Sequence, residues 1–163
     1  MTQAVLALSA GSLCALAGLR YASSLRQEAV RLAMWTDALR RLRLLLEEGT
    51  LPLPEALRQA GAGLPGPDRL MADIASSMNA DPLLSLPDAM ERSCQLCPER
   101  ALLLRLSQGL SHGSLESRCL ACEHACAAMS QLSAEASGRA SRDAKLFQTL
   151  GFTGGACLTL LLL

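Results

Sequence analysis

"RLAMWTDALRRLRLLLEEG", residues 31–49, carries the pattern that decides the fold. Its apolar residues recur at alternating spacings of three and four, which is the period of one face of an α-helix. This apolar seam consists of Leu32, Trp35, Leu39, Leu42 and Leu46. Arginines lie off the seam, and Gly49 follows as a residue that commonly ends helices. The stretch therefore predicts an amphipathic helix with one buried face, and no helix-breaking residue interrupts it back to Arg20.

The segment after Gly49 is predicted to contain several short helices. Pro54 and Pro87 are each followed by an acidic residue, a pair typical of helix N-termini because proline lacks the N–H that the first turn leaves unbonded. The predicted helices cover residues 54–61, 68–79, 87–96 and 98–111, and a last, long helix begins after Ser114 as its N-cap. The chain has one Trp, one Tyr and two Phe, and this scarcity of strand-favouring aromatic residues supports an all-α class.

The balance of charge excludes one class of partner. Fifteen Lys and Arg side chains oppose fifteen Asp and Glu side chains, so the formal net charge is zero. Electrostatic capture of nucleic acid needs an excess of cations, which this chain does not have. We therefore expect no nucleic-acid partner.

The two ends of the chain contain no ionic residue. Residues 1–19 and 146–163 lack Lys, Arg, Asp and Glu. As helices, residues 3–19 and 146–163 would extend roughly 26 Å and 27 Å, against a hydrocarbon core of about 30 Å. They are predicted to be transmembrane helices flanking a helical domain of residues 20–145. Two alternatives remain open: the first segment could be a cleaved signal peptide, although its arginines follow the apolar run, and the last could be a buried core helix.

Basic residues beside the predicted spans indicate their orientation. Arg20 and Arg26 follow the first span, and Arg139, Arg142 and Lys145 precede the second. Loops rich in Lys and Arg stay in the cytoplasm. The middle domain is therefore predicted to be cytoplasmic, with both termini outside, in a two-pass membrane protein.

Two Cys-x-x-Cys pairs have the spacing of a zinc ribbon. Cys94 with Cys97, and Cys119 with Cys122, could supply four sulfur ligands. Both pairs also continue apolar stripes at helical spacing, where a free cysteine behaves as a small hydrophobic residue. The first stripe begins at Leu83 and continues through Leu86 and Met90, and the second begins at Leu115. The sequence favours buried core positions and no cofactor; a zinc-binding or redox-responsive membrane protein that uses these four residues is the alternative.

Charged residues near Gly49 are the candidate partner-binding site. The acidic members are Glu47, Glu48 and Glu55, and the basic members are Arg40, Arg41 and Arg43. Grouped around a turn, the glutamates could form a docking patch for a basic partner. The sequence contains no phosphate-binding glycine loop, nucleophile elbow or metalloprotease motif, so we expect neither an enzyme nor a small-molecule substrate.

Several blocks along the chain resemble the stage III sporulation protein AB family of endospore-forming bacteria. They are the apolar N-terminal segment, "LEEGTLPLPEAL" at 46–57, "LPGP" at 64–67, "LSQGLSHGSLESR" at 106–118 and "LFQTLGFTGGACLTLLLL" at 146–163. The blocks occur in the family's order and extend over nearly the whole chain.

The resemblance implies a fold and a role. Proteins of this family are similar to the cytoplasmic domain of the inner-membrane platform protein of type II secretion systems, which is a helical bundle. The resemblance implies a platform subunit that couples a cytoplasmic secretion-type ATPase to the membrane complex of the sporulation channel. Its implied partners are this ATPase and the other membrane subunits of the same complex, in the mother-cell membrane facing the forespore.

Overall fold

The described backbone forms six α-helices in a computed structural model of the chain. The structure describes the backbone of residues 2–95 and 97–162, and the side chains of residues 20, 21, 23, 24, 26–95, 97–143, 149 and 153. The helices are α1 (Thr2–Glu48), α2 (Leu53–Gly61), α3 (Pro67–Ala80), α4 (Leu86–Ser93), α5 (Arg100–Ser111) and α6 (Leu115–Leu162). No strand occurs within the described backbone, so the all-α prediction is confirmed.

Helix α1 buries the predicted seam. Leu39 and Leu42 are fully buried, and the other three seam residues are at most 6% exposed. The helix ends at Glu48, and Gly49 adopts a positive φ of 63°, a conformation that costs glycine little because it has no Cβ. Both the periodicity and the end of this helix are therefore confirmed.

The short helices begin within two residues of the predicted starts, and α4 ends three residues earlier than predicted. Proline lies in the first turn of α2, α3 and α4, and the Ser85 hydroxyl accepts a hydrogen bond from the backbone N–H of Asp88 at the start of α4. The Ser114 hydroxyl accepts from the Ser117 N–H, as expected of the N-cap of α6. Helix α4 ends at Ser93 instead of residue 96, so Cys94 caps its C-terminus and Cys97 lies in a loop.

The chain divides into two compact units. Arg31–Gln131 forms one unit, and Met1–Val30 together with Leu132–Leu163 forms the other. In the first unit, α1 and α6 pair antiparallel: Arg43 bonds Glu123, and the Cys126 thiol lies 3.5 Å from the Thr36 carbonyl oxygen. In the second, the Ser133 hydroxyl donates to the Ala29 carbonyl at 3.2 Å.

The prediction of two transmembrane helices is wrong. Among the residues that the structure describes, none of the helices combines the length and the apolar character that a membrane crossing requires. Helices α1 and α6 are long enough, with 47 and 48 residues, but their described side chains include ionic groups every few positions. The two-pass topology that rested on these spans loses its basis. The described side chains include none of residues 1–19 and only Thr149 and Thr153 of 146–163.

Candidate interaction surface

The face of α1 opposite the buried seam carries most of the predicted partner-binding residues. This outer face consists of Asp37, Arg40, Arg41, Leu44, Glu47 and Glu48, all of which are exposed. They recur at spacings of three and four, half a turn away from the seam, so the rotation of the helix brings them together. Leu44 is 59% exposed in the middle of these charged residues. The sequence reasoning missed this leucine, because in the one-dimensional pattern it belongs to the run Leu44-Leu45-Leu46.

The charges of the outer face are only partly neutralised within the chain. Arg40 faces Asp37 at 3.7 Å, a long separation for a pair whose side chains are both more than half exposed. The Arg41 guanidinium donates to the Ala62 carbonyl at 3.1 Å, a contact with a neutral group that leaves the positive charge unbalanced. Glu48 has neither a hydrogen bond nor an ion pair among the described residues. These three side chains therefore keep charge available for a partner.

Arg43 has a structural role at the edge of the outer face. Its Nε donates to Glu47 at 2.8 Å, and its Nη1 lies 2.6 Å from a carboxylate oxygen of Glu123 on α6. The hydrogen bond to Glu47 is the main cause of a raised pKa for Arg43. Arg43 therefore links α1 to α6, and Glu123 is a partner that no local pattern in the sequence indicates.

Glu55 forms its described contacts within its own helix. Its carboxylate accepts hydrogen bonds from Arg58 at 2.6 and 2.9 Å and from Gln59 at 3.0 Å. These bonds, that of Arg58 first, lower the pKa of Glu55 to about 2. The predicted acidic patch of Glu47, Glu48 and Glu55 thus contains one carboxylate that a neighbouring arginine already neutralises. No described contact tests whether the patch binds a partner, and it stays a prediction.

A second long-range ion pair holds α1 near the start of α5. Both Nε and Nη2 of Arg31 approach one carboxylate oxygen of Glu99, at 3.0 and 2.9 Å. The Glu99 side chain is 5% exposed and that of Arg31 is 41% exposed, so the acid is buried and the arginine reaches it from the solvent side. Sequence reasoning missed Glu99. The only signal was Pro98-Glu99, which is typical of a helix start and gives no hint of burial.

The five cysteines whose side chains the structure describes fall into two environments. Cys94 and Cys122 are fully buried, whereas Cys97, Cys119 and Cys126 are half-buried, and these five thiols are free. Burial raises the pKa of both Cys94 and Cys122 to about 12, because a thiolate loses its hydration in the core. The predicted core location is thus confirmed for one member of each Cys-x-x-Cys pair. Leu83, predicted to begin the stripe that contains Cys94, is instead 95% exposed in the turn before α4.

Metal binding was the alternative interpretation of these cysteines. Within the described part of the chain, no three His, Cys, Asp or Glu side chains are grouped so that they could hold a metal ion. Cys94 and Cys97 lie at the connection between α4 and α5, and Cys119 and Cys122 lie on α6. The structure does not assemble these four residues into a ligand set.

Comparison with known proteins identifies a family. Residues 3–163 match the sequence model of a protein family, which is described as stage III sporulation protein AB. Comparisons with curated proteins and with solved structures gave no match.

Proposed function

The chain belongs to the stage III sporulation protein AB family, and from this premise we propose that it is a non-enzymatic subunit that couples a cytoplasmic ATPase to the sporulation apparatus. Membership of the family implies a role in stage III sporulation. The match over residues 3–163 is the observation that carries the proposal, because it extends over all six helices of the described backbone except Thr2. The ATPase and the platform role come from the resemblance of the family to secretion platforms.

The surface chemistry supports a function based on protein contacts. The outer face of α1 presents a leucine among unbalanced charges, a composition suited to reversible protein association. The core behind it is closed by leucine and alanine side chains, so α1 can present this face on a well-packed support. In this proposal the unit Arg31–Gln131 contacts the ATPase, and its role is to hold and orient partners.

The two charge-free ends suggest where the subunit works. Residues 1–19 and 146–163 have no ionic side chain. Removing apolar surface of this kind from water into lipid is favourable. We propose that they hold the protein at the mother-cell membrane that faces the forespore. Fractionation of sporulating cells tests this part: the full-length protein is expected in the membrane pellet, and its recovery in the supernatant would refute it.

Co-purification from sporulating cells tests the coupling to the ATPase. A tagged full-length chain replaces the native copy, the cells are cross-linked during stage III, and the eluate is analysed by quantitative mass spectrometry. The ATPase of the sporulation complex is expected in the eluate. A strain that expresses the tag alone is the control. If other subunits of the apparatus are recovered and the ATPase is absent, the coupling role is wrong.

A further inference from the structure

The charges on the outer face of α1 are arranged in a way that fits a second copy of the same chain. Leu44 lies at the centre, Arg40 and Arg41 lie four and three positions before it, and Glu47 and Glu48 lie three and four positions after it. At 1.5 Å per residue, each charged pair is centred about 5 Å from Leu44 along the axis. Along the helix axis, the face is therefore basic on the N-terminal side of Leu44 and acidic on its C-terminal side.

We propose that two copies of the chain pair through this face, with their α1 helices antiparallel and related by a twofold axis at Leu44. In a twofold interface the same patch serves both partners, so each contact occurs twice. Around the circumference of the helix, the rotation of about 100° per residue places Arg40 and Glu47 to the left or right of Leu44 together, and Arg41 and Glu48 together on the opposite flank. The axis then sets Arg40 opposite Glu47 of the second copy, and Arg41 opposite Glu48 of the second copy.

The described contacts leave these groups able to pair. Glu48 has no partner among the described residues, and the arginine that it would meet, Arg41, contacts only a backbone carbonyl. Arg40 has a long and exposed contact with Asp37. Glu47 already bonds Arg43, but a carboxylate can accept from two arginines. Leu44, 59% exposed in one copy, would be covered by its counterpart.

Charge complementarity favours a second copy over a uniformly charged partner. A purely basic partner would be attracted by Glu47 and Glu48 and repelled by Arg40 and Arg41, whereas an antiparallel copy matches both halves. The area is small, since the face covers about three helical turns and a standard interface buries about 800 Å² per partner. The predicted pairing is therefore weak and is strengthened by a high local concentration, as at a membrane.

Charge reversal on the purified full-length chain tests the pairing without the ATPase, so its outcome is independent of the proposed function. R40E/R41E makes the four charged positions acidic, and E47R/E48R makes them basic. We expect sedimentation velocity in non-ionic detergent to show concentration-dependent dimers of the unmodified chain. Each variant alone is expected to dimerise at least about tenfold more weakly, and an equimolar mixture of the two is expected to form a heterodimer.

A matched control separates the face from the overall charge of the protein. R92E/R105E makes the same change in formal charge as R40E/R41E, at two exposed arginines on α4 and α5. It is expected to dimerise like the unmodified chain. Circular dichroism verifies that all variants retain their helical content. A monomeric unmodified chain, unchanged dimerisation of both charge variants, or a mixture that stays monomeric would each overturn the proposal.

Discussion

The two faces of α1 between Arg31 and Glu48 share one backbone and have opposite environments. On one face Leu39 is fully buried, and on the other Leu44 is 59% exposed, although the two leucines are five positions apart on the same helix. The difference is purely rotational, since five residues correspond to about 500°, or 140° beyond a full turn. The comparison shows that position on the helix, and not residue type, decides whether a leucine stabilises the fold or remains available for a partner.

The strongest test of this comparison truncates the two leucines separately. Leu39→Ala removes buried methyl groups and leaves a cavity, so we expect a loss of about 2–5 kcal/mol in the free energy of unfolding. Leu44→Ala is the matched control and is expected to change this free energy by less than about 0.5 kcal/mol. Urea unfolding of the full-length chain, followed by circular dichroism, measures both. Equal losses would show that the two faces do not differ as described.

A smaller loss in the free energy of unfolding is expected from a change at Arg31, which lies where the buried and the exposed faces of α1 meet. Arg31→Met removes the partner of the buried Glu99 carboxylate, and we expect a loss of about 1–3 kcal/mol. The larger losses of stability that follow from breaking a fully buried ion pair are not expected here, because Arg31 is 41% exposed and solvent screens the interaction. The same unfolding measurement applies. Adding Glu99→Gln should recover part of the loss, since a neutral amide is less costly to bury; no recovery would mean that Arg31 acts through packing alone.

The same contrast on α6 predicts different chemical reactivities for two neighbouring cysteines. Cys122 is buried with a pKa of about 12, and Cys119 is half-buried one turn away. Because the thiolate is the reactive form, we expect iodoacetamide at pH 8 to alkylate Cys122 at least about 100-fold more slowly in the native chain than in denaturant. Peptide mapping by mass spectrometry measures both residues, and Cys119 is the internal control. Equal rates at the two positions would contradict the burial.

The raised pKa of Cys122 also makes the stability of the fold depend on pH. The value in the folded chain lies above the ordinary value of 9.0, so the folded state favours the protonated thiol. The resulting contribution to stability is complete below about pH 9 and is lost as the pH rises toward 12. A Cys122→Ala variant lacks this contribution, so its stability should fall less steeply over this alkaline interval than that of the unmodified chain.

The sequence was most informative where local patterns determine the structure. The seam from Leu32 to Leu46, the end of α1 before Gly49 and the N-cap at Ser114 follow from helical periodicity and from the chemistry of helix ends, and all three are observed. These features depend on residues within one or two turns of each other, so a one-dimensional pattern contains them.

The sequence was least informative at the two ends and in the stripe before Cys97. The absence of charge at the ends led to a prediction of membrane spans that the described helices do not support. Helical spacing likewise placed Leu83 in the core, yet this residue lies in a turn and is 95% exposed. For Leu83, a helical spacing was extended into residues that the structure folds as a turn.

By itself the sequence determined the positions of the helices, the buried face of α1, the capping residues and the family of the chain. Only the tertiary structure decided which charged side chains form ion pairs. Arg31 pairs with Glu99, 68 positions away in the sequence, and Arg43 pairs with Glu123 on α6. Tertiary packing also decided that Leu44 remains at the surface while Cys94 and Cys122 are enclosed. The physical reason is range, because hydrogen bonds within a helix join residues four positions apart, whereas burial and ion pairing depend on the elements that pack beside it.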